Sequence, residues 1–119
     1  LFLAEQLEEA LTVTERALAL ARKRAERGHE AYALRLLGDI AAHPDAPETE
    51  TAQARYGEAL ALAEKFGMQP LVAHCQLGLG RLYQREGRRQ EADEHVEKAA
   101  AMYADMGMRW WQERANGMR

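Results

Sequence analysis

The stretch LGLGRLYQREGRR, residues 77–89, gathers residue types that could handle phosphate. Two glycines at alternate positions, Gly78 and Gly80, are followed by Arg81, Arg85, Arg88 and Arg89. A phosphate-cradling loop offers free backbone N–H groups beside a cation, with glycine where the chain passes close to the anion. That chemistry needs G-x-x-x-x-G-K and then Ser or Thr, set between a strand and a helix. Here the glycines are followed by neither lysine nor a hydroxyl, and no strand-like alternation precedes them. The stretch fails as a phosphate loop on spacing, and a packed helix explains its glycines better.

Other reactive side chains do not assemble in the sequence. His29, His43, His74 and His95 are scattered, and no two share a helical turn with a third ligand, which argues against a metal site. Cys75 is the single cysteine. It falls where a small apolar residue would face inward and has no neighbouring histidine or lysine to activate it. Paired carboxylates such as Glu8 with Glu9 and Glu48 with Glu50 resemble solvated helix faces rather than an acid–base couple. The residues therefore call for no catalytic group and no cofactor.

The elements that position these side chains are helical. Alanine and leucine dominate and aromatics, prolines and β-branched residues are few, so an all-α chain without a sheet is expected. The 119 residues suffice for one domain, and a formal charge of −3 argues against general attraction to nucleic acid or an anionic membrane. No apolar run approaches the roughly 20 residues that span a bilayer. One cysteine fits a reducing compartment, which makes cytoplasm the expected location. The opening LFLAEQ has neither a basic start nor an initiator methionine, so the chain reads as a segment of something longer.

Self-comparison reveals the organisation. ALTVTERALALA from Ala10, AQARYGEALALA from Ala52 and ADEHVEKAAAMY from Ala92 align at separations of 42 and 40 residues, and between them AYALRLLGDIA from Ala31 aligns with AHCQLGLGRLY from Ala73. A period in this range marks a solenoid, whose helical pairs bury their apolar faces against neighbours. The periodicity and punctuation place six helices near 3–26, 30–42, 48–66, 70–86, 89–106 and 109–117. Pro47 starts the third and Pro70 lies in the first turn of the fourth. Gly67, Gly87 and Gly107 close helices. A glycine inside a helix costs about 1 kcal/mol relative to alanine, so Gly38 and Gly80 imply close approach of a partner helix, at Ala52 and Ala59 or Ala92 and Ala99.

Leu79, Gly80 and Tyr83, followed by Ala92 and Val96, carry the L-G-x-x-Y and A-x-x-x-F pattern of the tetratricopeptide repeat; Leu37, Gly38, Ala52 and Tyr56 carry it less completely. The chain resembles that family over nearly its whole length. It departs where the first-helix tryptophan is replaced by Leu34 or Gln76 and the tyrosine by Ala41, and where longer helices and the HPDAPETE turn stretch the usual period of about 34. The resemblance implies a right-handed α-solenoid of antiparallel helix pairs, divided as a partial repeat 1–28, repeats 29–67 and 68–107, and a further repeat start or cap at 108–119. A closer likeness, through YGEALALAEKFGMQPLVAHCQLGLGRLY and MGMRWW, is to the C-terminal repeat tracts of large bacterial signalling proteins that pair a class III nucleotide cyclase or a DNA-binding regulator with an ATPase module. In those proteins the repeats are the non-catalytic part.

The resemblance also implies a groove for a protein or peptide partner on the concave face. The positions are Tyr32, Arg35, Asp39 and His43 in one repeat and His74, Leu77, Arg81, Gln84 and Arg85 in the next, opposite a core stripe of Leu79, Leu82 and Tyr83. The family's chaperone-binding clamp of lysine and asparagine is replaced by Arg35 with Asp39 and Leu77 with Arg81, which argues against chaperone tails as ligands. Arg81 and Arg85 suit an acidic partner segment, and equally suit the negative end of a helix while staying solvated. Met102, Met106, Met108, Trp110 and Trp111 form an apolar cluster, expected to cover the last complete repeat. Self-association through exposed terminal faces and regulation by a small ligand held between helices are the alternative functions.

Overall fold

The structure, a computed structural model, describes residues 2–44 and 47–118. Six helices follow one another: α1 Phe2–Lys23, α2 Arg27–Ala41, α3 Thr49–Lys65, α4 Gln69–Arg85, α5 Arg89–Asp105 and α6 Arg109–Asn116. The described residues contain no strand. Each helix packs on the next, and α2 also touches α4 directly. That contact places α2 and α4 side by side in the inner layer of the stack, which α6 continues by its equivalent place in the repeat, and α1, α3 and α5 form the outer layer. The expected all-α solenoid of helix pairs is the observed architecture.

Four of the five connections are the same turn. After α1, α3, α4 and α5 comes one residue of positive φ: Ala25 at 56°, then Gly67 at 66°, Gly87 at 74° and Gly107 at 70°. The next residue sends its N–H back to the carbonyl five positions earlier, Glu26 to Ala21, Met68 to Ala63, Arg88 to Tyr83 and Met108 to Tyr103, at 2.8–2.9 Å. That bond is the signature of a left-handed helix stop. The same residue serves as N-cap of the following helix, its carbonyl accepting the first bond of that helix from Glu30, Val72, Ala92 and Gln112 respectively. Helices are thus reversed within three residues. The fifth connection, residues 42–48, is longer; its Asp45 and Ala46 lie outside the described residues.

Helices α3 to α6 fall within a residue or so of the sequence expectation, but α1 ends at Lys23 rather than 26 and α2 begins at Arg27 rather than 30. The left-handed position between them is Ala25, and Gly28 lies inside α2.

The two glycines of the opening stretch point to different neighbours. Residues two apart on a helix diverge by about 200°. Gly78 faces α3, where a methyl group in place of its hydrogen would lie 2.7 Å from Tyr56 Cζ; Gly80 faces α5, where it would lie 2.7 Å from Val96 Cγ2 and 3.4 Å from the Ala92 carbonyl. Gly38 corrects the expectation that it meets the α3 alanines: a methyl there would lie 2.7 Å from Cδ1 and Cε1 of the same Tyr56 ring. Ala52, Ala59, Ala92 and Ala99 are fully buried nonetheless. One buried aromatic ring thus occupies the space left by glycines on two helices. In the next repeat the residue in place of Tyr56 is Val96, with Gly80 before it and Met118 packed into its cluster where the earlier repeat has Gly78. A larger side chain is matched by an additional glycine, and a smaller one by a methionine.

A left-handed backbone costs an L-residue about 1–2 kcal/mol, and glycine gives back part of that through its freer unfolded chain. Ala25→Gly is expected to stabilise the protein by roughly 0.5–1 kcal/mol, raising the midpoint of a thermal melt by a few degrees.

Candidate functional site

The shared turn fixes a register for the inner layer. The N-caps Glu26, Met68 and Met108 are equivalent, so Tyr32 on α2, His74 on α4 and Arg114 on α6 occupy the same position, six residues into each repeat.

Several of them serve the fold. Arg35 Nε lies 3.2 Å from Asp39 Oδ2 as an ion pair without hydrogen-bond alignment, and the Tyr56 hydroxyl donates to Asp39 Oδ1 at 2.5 Å. The pair lies over the glycine-clamped ring and holds it by its polar end. Leu77 departs from the expectation of a groove residue: it is 2 % exposed and belongs to the core that α4, α5 and α6 share with Val96, Ala99 and Tyr103. Gln84 Nε2 donates to the Met118 carbonyl at 2.6 Å. Arg85 donates to the carbonyl of Ala42, the C-cap of α2, so its charge complements a helix end, but of another helix than its own.

His74 is half-buried, with Nδ1 2.7 Å from the Tyr103 hydroxyl and its ring edge-on to Trp111 at 4.5 Å. Burial, helped by the Arg35 charge, brings its pKa down to about 4. Burial raises the Tyr103 hydroxyl well above the usual phenol range, so the phenol keeps its proton and donates to a neutral imidazole. His95 is lowered in the same direction by burial and by Lys98. It is 2.6 Å from Oε1 of the buried Gln76 and stacks on Tyr83 at 5.3 Å. Burial pushes the Cys75 thiol up to about 12, a poor nucleophile. The described residues bring no three His, Cys, Asp or Glu together in a way that could hold a metal ion.

Two candidates stay open to a partner. Tyr32 is 46 % exposed. Arg81 is exposed and makes no ion pair among the described residues. The structure adds two residues that sequence reasoning placed elsewhere or passed over. Trp110 sits at the edge of the C-terminal apolar cluster of Met102, Met106, Met108 and Trp111, its ring edge-on to Trp111 at 4.8 Å, and is 56 % exposed. The Arg114 guanidinium stacks over its ring, 3.7 Å from the centroid. Counting from the N-caps would have found Arg114, since it repeats the positions of Tyr32 and His74. Gly78 and Gly80 lie in the middle of α4, where their N–H groups belong to the helix and cannot cradle an anion.

Among protein-family models, that of the tetratricopeptide repeat matches residues 48–105. The match runs from the N-cap of α3 to the last residue of α5, just under half of the chain, and contains Tyr56, Gly78, Gly80 and Val96. It supports assignment to that family, and the fold is a tetratricopeptide-like solenoid. Repeats of this kind generally mediate binding between proteins. No curated protein matches the chain.

A histidine whose folded pKa is depressed binds its proton more readily in the unfolded chain, so stability rises with pH between the two values. For His74 that window runs from about 4 to its ordinary 6.5. Unfolding free energy should therefore decline as pH falls through the window, and His74→Gln should flatten the slope. In a ring-proton NMR titration the His74 signal should stay neutral down to about pH 4.

Proposed function

We propose that this chain is a non-catalytic protein-interaction module, a tetratricopeptide tract of a larger bacterial signalling or regulatory protein working in the cytoplasm, and that its inner layer holds an acidic peptide segment. The observation that carries the reading is what remains after the fold has used its residues. Arg35, Asp39, His74, Leu77, Gln84 and Arg85 are engaged by packing, hydrogen bonds or ion pairs. Tyr32, Arg81, Trp110 and Arg114 stay exposed and belong to the three inner-layer helices. Two arginines and two exposed aromatic rings suit a segment with carboxylates and apolar side chains, since guanidinium groups pair with carboxylates in a fork and aromatics supply rigid contact area.

The bacterial signalling context rests on the sequence likeness of 56–83 and 106–111. In that setting the solenoid would recruit or sense a protein, and catalysis would belong to other modules.

The test is a fluorescence-anisotropy screen of short peptides that differ in charge. Acidic peptides should bind in preference to neutral and basic ones, and added salt should weaken them. Arg81→Glu combined with Arg114→Glu should lower the affinity about tenfold or more while the thermal melt stays unchanged. Equal binding of all charge classes, or full affinity in the double variant, would remove these residues from the site.

A further inference from the structure

Helices α2 and α4 carry different residues at one equivalent place near their C-terminal ends, and the difference opens a groove. On α4 that residue is Tyr83. Its hydroxyl accepts a hydrogen bond from Gln53 Nε2 on α3 at 2.9 Å, its ring stacks on His95 of α5 at 5.3 Å, and the Arg88 guanidinium lies 4.6 Å from its centroid. The repeat separations of 42 and 40 residues turn these positions into Ala41 for Tyr83, Leu11 for Gln53, Arg55 for His95 and Glu48 for Arg88. All four line a single groove of about 500 Å³ between α1, the end of α2 and α3. The space that a tyrosine ring closes in one repeat is therefore open in the repeat before it. The groove lies within the stack, since the Leu11 face of α1 is the face that α3 turns, through Gln53, toward the following helix.

The walls and the rim define what fits. Leu11 is 39 % exposed, and Ile40 is partly exposed where its equivalent, Leu82, is buried in one cluster with Tyr83. A flat apolar ring restores the lost cover, and Arg55 stands where His95 stacks, in place to lie against the ring face. Leu11 offers no donor to a hydroxyl, which favours phenylalanine over tyrosine. The rim is acidic: Glu8, Glu15 and Glu48 border the groove without an ion pair among the described residues, whereas Arg55 is paired with Glu58 at 3.3 Å. A cation beside the ring answers that charge. Along α1 the lining runs from Ala4 to Glu15, about 16 Å at the helical rise. That is longer than one ring and leaves room for the backbone of a peptide.

We propose that this groove docks a segment of a partner protein in which a phenylalanine stands next to a lysine or arginine. The phenylalanine ring takes the place that Tyr83 takes in the following repeat, and the cation meets the glutamates of the rim. None of Tyr32, Arg81 and Arg114 lines the groove, so it is a second site, with a charge preference opposite to that of the inner layer.

An NMR titration of the 119-residue protein with the blocked tetrapeptide Ala-Phe-Lys-Ala tests this, with circular dichroism to confirm that each variant is folded. The methyl signals of Leu11, Leu37 and Ile40 should shift saturably. Alanine in place of the peptide's phenylalanine should weaken binding roughly tenfold or more, the scale of a buried aromatic anchor. Glutamate in place of its lysine should weaken binding too, and added salt should shrink that difference. Ala41→Tyr rebuilds the ring of the next repeat and should abolish the shifts. Leu11→Lys sets a like charge in the wall at an exposed position and should also abolish them, which decides the matter if Ala41→Tyr does not fold. The proposal is overturned by the absence of saturable shifts, by equal binding of the phenylalanine and alanine peptides, or by binding that survives Leu11→Lys or a folded Ala41→Tyr. Phenethylamine binding as tightly as the peptide would overturn the peptide as occupant in favour of a small aryl amine.

Discussion

The Tyr56 ring is the constraint from which the rest of the stack takes its geometry. It projects from α3 into the space that Gly38 leaves on α2 and Gly78 leaves on α4, where any larger residue would meet ring carbons at 2.7 Å. Three helices are thereby set at one distance from a common side chain. The ring is 3 % exposed, and burial together with the Asp39 charge raises its hydroxyl well above the usual phenol range. The phenol therefore stays protonated and donates to Asp39, which in turn faces Arg35. A steric fit in the core thus also fixes the pair of charges at the inner surface of α2.

The same physics explains what could be read from the sequence. Helix number, order and register were legible because each repeat needs small residues at the same contacts, and Ala52, Ala59, Ala92 and Ala99 mark those contacts without ambiguity. Turn positions were legible where glycine supplies the left-handed residue, at Gly67, Gly87 and Gly107. The turn between α1 and α2 was hidden because an alanine, Ala25, takes that conformation and no glycine marks it. The partner of Gly38 was hidden because a glycine announces close approach without saying whether a backbone or a ring approaches.

The candidate site was legible as a face and less so residue by residue. Periodicity places a side chain on one side of a helix, but it does not say how wide the neighbouring helices are. Leu77 is on the expected arc of α4, yet α5 and α6 close over it. Arg85 finds a carbonyl on α2, a contact across 43 positions of the chain that no local pattern encodes. Trp110 borders the expected C-terminal cluster through Trp111, yet much of its ring is exposed, because adjacent helical residues point about 100° apart. What remains on the inner layer is a small set of cations and aromatic rings on a rigid frame, which is the condition for selective binding without large reordering.

The central claim is that a shared ring sized to two glycines sets the spacing of the helices. It is tested most directly by measuring the stability of Gly78→Ala in two backgrounds, by denaturant unfolding. In the wild type the added methyl should cost about 1–3 kcal/mol through overpacking against the ring, even though alanine favours a helix by about 1 kcal/mol over glycine. In Tyr56→Val, which copies the residue of the next repeat, the cost should vanish or become a gain, giving strong coupling between the two sites. If Gly78→Ala were neutral or stabilising in the wild type, or cost the same in both backgrounds, the ring would not be what sets the spacing.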